Sequence, residues 1–139
     1  MAKQKVLILC TGNSARSQMA EGLLRHLAGD KFEVSSAGIA PTQVRSEAIT
    51  VMNDLGIDIS KQFSKDVDRF VSDSFDYVIT VCDNANENCP VFPARAQRIH
   101  WSFEDPARVE GDKATRLNAF RMIRDQIKYQ LQTFIKSTR

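Results

Sequence analysis

Cys10-Thr11-Gly12-Asn13-Ser14-Ala15-Arg16-Ser17 is the stretch of this chain whose residue types and spacing are best equipped for chemistry. A cysteine and an arginine, five residues between them, separate the apolar run Val6-Leu7-Ile8-Leu9 from a segment of helical periodicity. Backbone N–H groups at the start of a helix lack partners and carry partial positive charge. A tight loop placed there can aim several donors at one tetrahedral oxyanion. Thr11, Gly12, Asn13, Ser14, Ala15 and Arg16 form the expected cradle, with Arg16 adding a planar, permanently charged fork that fits two anion oxygens. Gly12 and Asn13 are best able to take left-handed backbone conformations inside it. A helix N-terminus and a nearby cation lower the pKa of a thiol, which makes Cys10 a candidate nucleophile. Ser17 is placed to donate to that thiolate or to a leaving group. The chain carries no G-x-x-x-x-G-K-[ST] pattern, so a nucleotide-binding loop is not supported.

Positioning such a loop requires a strand before it and a helix after it, and the rest of the chain supplies that alternation. Val6–Leu9 reads as a strand buried on both faces. Met19, Leu23 and Leu27, with Ala20 and Leu24, repeat at helical spacing up to Gly29. Phe32–Ser36 alternates like a strand and ends at Gly38. Ala48, Val51, Met52 and Leu55 predict a helix stopped by Gly56. Val67, Phe70 and Val71 predict a short third helix, Tyr77–Val81 a second buried strand, and Arg98–Trp101 a weaker one. Leu117, Phe120, Ile123, Ile127, Leu131 and Phe134 form the stripe of a long final helix. Asp83–Asn88, followed by Pro90 and Pro93, reads as a loop. Strands alternating with helices imply an α/β domain over 1–139, three-layered, with a four-stranded parallel sheet in the flavodoxin-like order 2-1-3-4 and helices on both faces.

Composition narrows the function classes. With 19 basic and 17 acidic residues the net charge is +2, too balanced for a nucleic-acid binder. A hydrophobic content of 42% supports a packed core rather than disorder. No apolar run suggests a membrane span, and Val6–Leu9 is too short for a signal segment, so a cytoplasmic protein is expected. Three cysteines, Cys10, Cys82 and Cys89, argue against a structural disulfide framework. They and His100 show no C-x2-C knuckle, so no zinc or other metal is assigned. His26 and His100 read as structural. Reactive thiols remain.

Cys10 to Gly22, CTGNSARSQMAEG, closely resembles the active-site loop of thioredoxin-coupled arsenate reductases. That family is built on the low-molecular-weight protein tyrosine phosphatase fold. The resemblance extends through Ser36-Ala37-Gly38-Ile39, Asp58-Ile59-Ser60, Cys82, Cys89 and Trp101-Ser102-Phe103-Glu104-Asp105-Pro106. It implies reduction of arsenate to arsenite for arsenic detoxification. Cys10 would attack the oxyanion held by Arg16, Asp105 would donate a proton to the leaving oxygen, and Ser17 would assist. Cys82, ending the strand expected beside that of Cys10, would then form a Cys10–Cys82 disulfide. Cys89 would move it to Cys82–Cys89, and thioredoxin would reduce it. No bound cofactor is implied, and a monomer is expected. Some relatives hold potassium through an asparagine, a glutamate, a serine and an aspartate. Asn13, Glu21 and Ser36 match, but Lys65 stands where the aspartate aligns, which argues against potassium dependence.

The main alternative is a low-molecular-weight phosphatase working through a Cys10 phosphoenzyme. Such phosphatases usually carry aromatic residues after the Asp-Pro, and here Ala107 and Arg108 follow. A non-catalytic thiol sensor is the third reading, and it would have no use for Arg16 or Asp105.

Overall fold

The computed structural model describes residues 2–92 and 96–138. Four parallel strands, β1 (Gln4–Cys10), β2 (Phe32–Gly38), β3 (Tyr77–Thr80) and β4 (Gln97–His100), form one sheet in the order β2-β1-β3-β4. The order and direction agree with the expectation. Successive residues of a strand point to opposite faces, so the complete burial of Val6, Leu7, Ile8 and Leu9 in a row means that both faces are covered. Four helices surround the sheet: α1 (Arg16–Ala28), α2 (Ser46–Asn53), α3 (Asp83–Glu87) and α4 (Lys113–Ser137).

Helix α4 packs against both α1 and α2. Its stripe places Phe120, Ile127 and Leu131 wholly inside the core. Phe134 sits against Phe32, Tyr77 and Trp101, with ring centroids 5.0 to 6.1 Å away. That cluster joins β2, β3 and the end of β4 under one aromatic side chain. Arg124, also buried, donates to the Val51 carbonyl at 2.7 Å and so fixes α4 to α2. Gly56, at φ +74°, ends the α2 region in the left-handed conformation expected of a helix stop.

Two local expectations are corrected. The predicted third helix is a single 3-10 turn, Val67–Phe70, started by Asp66, whose carboxylate accepts from the Asp68 amide. More consequentially, the 83–88 segment is not a loop, because Asp83–Glu87 forms α3. Its signal was absent from the sequence because only Ala85 is buried, so no apolar periodicity exists to read. A cap starts it instead: Cys82 Sγ accepts from the Ala85 amide at 3.4 Å. Pro93 lies outside the described residues.

Candidate active site

β1 and β3 bring the first two cysteines to one edge of the sheet. Leu9 pairs with Thr80, and the Val81 amide donates to the Leu9 carbonyl at 2.9 Å, so the strands stay in register to the point where both end. Cys10 and Cys82 follow directly, and both are buried. Thr11 Oγ1 lies 3.4 Å from Cys82 Sγ, which ties the second thiol to the residue after the first. Cys89, beyond the end of α3, is half-buried. Burial pushes its thiol pKa up, against a smaller opposing pull from Arg98.

The loop itself is held by a directional network. Asn13 has φ +48°, and it alone among the described non-glycine residues takes a positive φ. Gly12, expected to share that role, does not take it; its place is in the cavity wall. Asn13 Oδ1 accepts from the Lys65 amide at 2.9 Å, so its Nδ2 must face the other way. Nδ2 donates to Ser17 Oγ at 2.7 Å and to Ser36 Oγ at 2.9 Å. With an incoming donor already on its oxygen, Ser17 is free to point its hydroxyl hydrogen at Cys10 Sγ, 2.8 Å away. Ser36 passes its own hydrogen to Glu21 Oε1 at 2.6 Å. The Asn13 carbonyl takes two further donors, Gln18 Nε2 and Ser64 Oγ. Gly38 backs the loop so closely that a Cβ there would meet the Thr11 carbonyl at 2.6 Å. The sequence reading found Asn13 and Ser17 but not this wiring, nor Gln18 and Ser64.

Helix α1 begins at Arg16, and Ala15 before it provides no side-chain cap. Its first-turn amides therefore have no side-chain acceptor of their own, the condition under which a bound anion completes a helix N-terminus. A cavity of about 420 Å³ opens here, lined by Cys10, Gly12, Ser14, Arg16, Thr42 and Arg45 among others. Arg16 stands between it and a neighbouring cavity of about 670 Å³ that reaches Cys82 and Asn84. Arg16 Nη1 donates to the Phe103 carbonyl at 3.0 Å, and Nη2 lies 3.8 Å from Asp105 Oδ2. Asp105 belongs to both cavities. Its other oxygen accepts from the Ala107 amide at 3.0 Å and starts the turn Pro106–Arg108. One carboxylate thus opens a turn and faces the arginine.

The residues expected at a potassium site do come together, but they are not arranged as cation ligands. Lys65 Nζ sits 3.7 Å from Glu21 Oε1 and donates to the Phe63 carbonyl at 2.9 Å. An ammonium only donates and cannot ligate a cation. Asn13 turns its amide NH2, not its oxygen, toward Ser36, and Glu21 is already paired with Arg25 at 2.9 Å. Burial lowers the Lys65 pKa, and the Glu21 charge opposes that shift. These side chains do not fit potassium. Among the described residues, no three His, Cys, Asp or Glu side chains gather to hold a metal, and no helix is long and apolar enough to cross a membrane.

Residues 5–139 match the low molecular weight phosphotyrosine protein phosphatase family. Over 137 residues, 99% of both chains, the sequence is 42% identical to an arsenate reductase of Halalkalibacterium halodurans. A solved arsenate reductase in its phosphate-binding state superposes with a TM-score of 0.78 at 34% identity, covering 96% of this chain and 98% of the other. A thioredoxin-dependent arsenate reductase of Corynebacterium glutamicum gives a TM-score of 0.74 at 30% identity, covering 97% of this chain and 61% of that one. Matched almost end to end, and carrying its cysteine–arginine loop at the first strand–helix junction, this chain belongs to the low molecular weight phosphotyrosine protein phosphatase family, in the company of arsenate reductases.

Proposed function

We propose that this protein reduces arsenate to arsenite through Cys10, Cys82 and Cys89, with thioredoxin restoring the thiols. The observation that carries the reading is the placement of two buried thiols at the ends of adjacent strands, joined through Thr11, beside a loop built for an oxyanion. A phosphoester hydrolase has no use for the second thiol. The relatives named as arsenate reductases add weight to the same reading.

The steps follow from the chemistry of the groups. Cys10 thiolate attacks arsenic(V) held by the loop amides and Arg16, a sulfur–arsenic bond forms, and an oxygen leaves as water after taking a proton from Asp105. Cys82 thiolate then attacks the Cys10 sulfur. The sulfur–sulfur bond forms as the sulfur–arsenic bond breaks, its electron pair stays on arsenic, and arsenite departs. Two thiols have supplied two electrons. Cys89 next attacks Cys82, releasing Cys10 as thiolate and leaving a Cys82–Cys89 disulfide for thioredoxin. That last transfer requires α3 to open. The helix Asp83–Glu87 stands between the two thiols and holds them at its opposite ends, whereas a disulfide needs their Cα atoms within about 7 Å.

The test follows NADPH oxidation with thioredoxin, thioredoxin reductase and arsenate, using the natural chain and Cys89→Ser. Arsenate-dependent turnover is expected, and it should fall at least about a hundredfold in the variant because the oxidised centre is no longer passed outward. No turnover in the natural chain, with clear cleavage of an aryl phosphate, would replace this reading with a phosphatase.

Lys65 gives a second expected result. Exchanging sodium for potassium chloride at constant ionic strength should leave the melting temperature within about 1 °C, since a cation that does not bind the folded state cannot stabilise it. A potassium-specific rise in thermal melts would show that the ion displaces the ammonium.

A further inference from the structure

Helix α3 is too short to sustain itself, since isolated helices below about 12 residues are marginal in water. Its core anchorage is the single small side chain of Ala85. Polar tethers hold it instead, and they reach strand ends on either side of Cys82. Asp83 Oδ1 lies 3.0 Å from His100 Nε2, at the end of β4. A carboxylate only accepts, so Nε2 carries the proton. The other ring nitrogen, Nδ1, lies 2.8 Å from the buried Thr80 Oγ1 at the end of β3. Asn84 Nδ2 donates to Thr11 Oγ1 at 2.9 Å, the same hydroxyl that lies against Cys82 Sγ. The His100 hydrogen bond also holds the Asp83 carboxyl below its ordinary pKa.

We infer that Thr80, His100 and Asp83 form a latch that keeps Cys82 facing Cys10 for the first exchange and must release before Cys89 can complete the second. His100 is then a positioning residue, acting through Asp83 on the reach of Cys82, with no contact to the oxyanion. The inference rests on the three-thiol reading. It extends that reading by assigning the timing of the relay to a side chain outside the oxyanion loop. The first exchange gains from a closed latch because proximity of the thiol to the adduct sets its rate. The second is opposed by it, because local opening of α3 must first break the pair. In that step the Cys89 thiol gives its proton to solvent, its sulfur bonds to Cys82, and Cys10 leaves as thiolate.

Opposite effects on two successive steps set this role apart from a merely structural one. Fully reduced full-length protein is mixed with one equivalent of arsenate and quenched with an alkylating reagent at intervals. Peptide mapping then gives the amounts of the Cys10–Cys82 and Cys82–Cys89 disulfides. In His100→Leu the first disulfide should form about two- to threefold more slowly, and its conversion to the second should run about fivefold faster, the scale of one net hydrogen bond. Asp83→Ala should shift both steps in the same directions, and the double variant should go no further than His100→Leu alone, since that change already breaks the His100–Asp83 bond that ties α3 to β4. Rates that are unchanged, or that shift in the same direction for both steps, would overturn the latch while leaving the relay standing. Failure of the natural chain to form Cys82–Cys89 at all would overturn both.

Discussion

Cys82→Ser is expected to stop arsenate turnover while leaving aryl-phosphate cleavage almost untouched. On the proposed mechanism the two reactions share Cys10, Arg16 and Asp105 and part only after the covalent adduct forms. A phosphoenzyme is resolved by water, whereas a cysteine–arsenic adduct yields arsenite only when a second thiol attacks its sulfur. Serine keeps a hydroxyl near Thr11 Oγ1, 3.4 Å from the present sulfur, and so preserves the local packing. It has no thiolate to offer. Steady-state reduction coupled to thioredoxin should fall by about a thousandfold or more, since an alcohol cannot serve in thiol–disulfide exchange. Hydrolysis of an aryl phosphate should stay within about threefold, because neither the oxyanion donors nor the nucleophile has changed. Arsenate turnover that survives the substitution would show electrons entering by another route and would remove Cys82 from the pathway.

The split between these two reactions mirrors what the sequence made legible. The sheet could be read because Val6–Leu9 is a continuous apolar run and Tyr77–Val81 is rich in β-formers, while right-handed crossovers and short connections leave few strand orders. The loop could be read because a cysteine and an arginine flank it at a strand–helix junction, where backbone donors are concentrated. Asn13, Glu21, Ser36 and Lys65 were brought together only by family resemblance. They lie on α1, on β2 and on loops to either side, each a single polar residue with no periodicity. Which way the Asn13 amide points follows from one contact, the Lys65 N–H on its oxygen, and no spacing rule encodes that. Helix α3 was missed for a related reason. Its order comes from a sulfur cap and side-chain tethers to distant strand ends, so the pattern that marks longer helices is absent. The same feature makes it the element best suited to open, because breaking a few hydrogen bonds uncovers little apolar surface.

Arg16→Lys is expected to lower both reactions together, in contrast to Cys82→Ser. The guanidinium is anchored at one end by the Phe103 carbonyl, 3.0 Å from Nη1, and approached at the other by Asp105, 3.8 Å from Nη2. Held in this way, its planar fork can present two parallel donors to an anion without first being ordered. A lysine ammonium is a point charge on a flexible stem, and its three tetrahedral donors cannot reproduce the planar fork that pairs two anion oxygens in parallel while reaching the Phe103 carbonyl. Charge is conserved, so the loss measures geometry rather than electrostatic attraction. kcat/KM for arsenate and for an aryl phosphate should each drop by about a hundred- to a thousandfold, the scale of removing a preorganised oxyanion donor. Inhibition by inorganic phosphate should weaken in parallel. The side chain is mostly buried against Phe103, so thermal melts of both proteins are needed to separate lost catalysis from lost folding. A decrease of less than tenfold in a well-folded variant would mean that the loop amides alone bind the oxyanion, with Arg16 serving to hold the 103–105 segment in place.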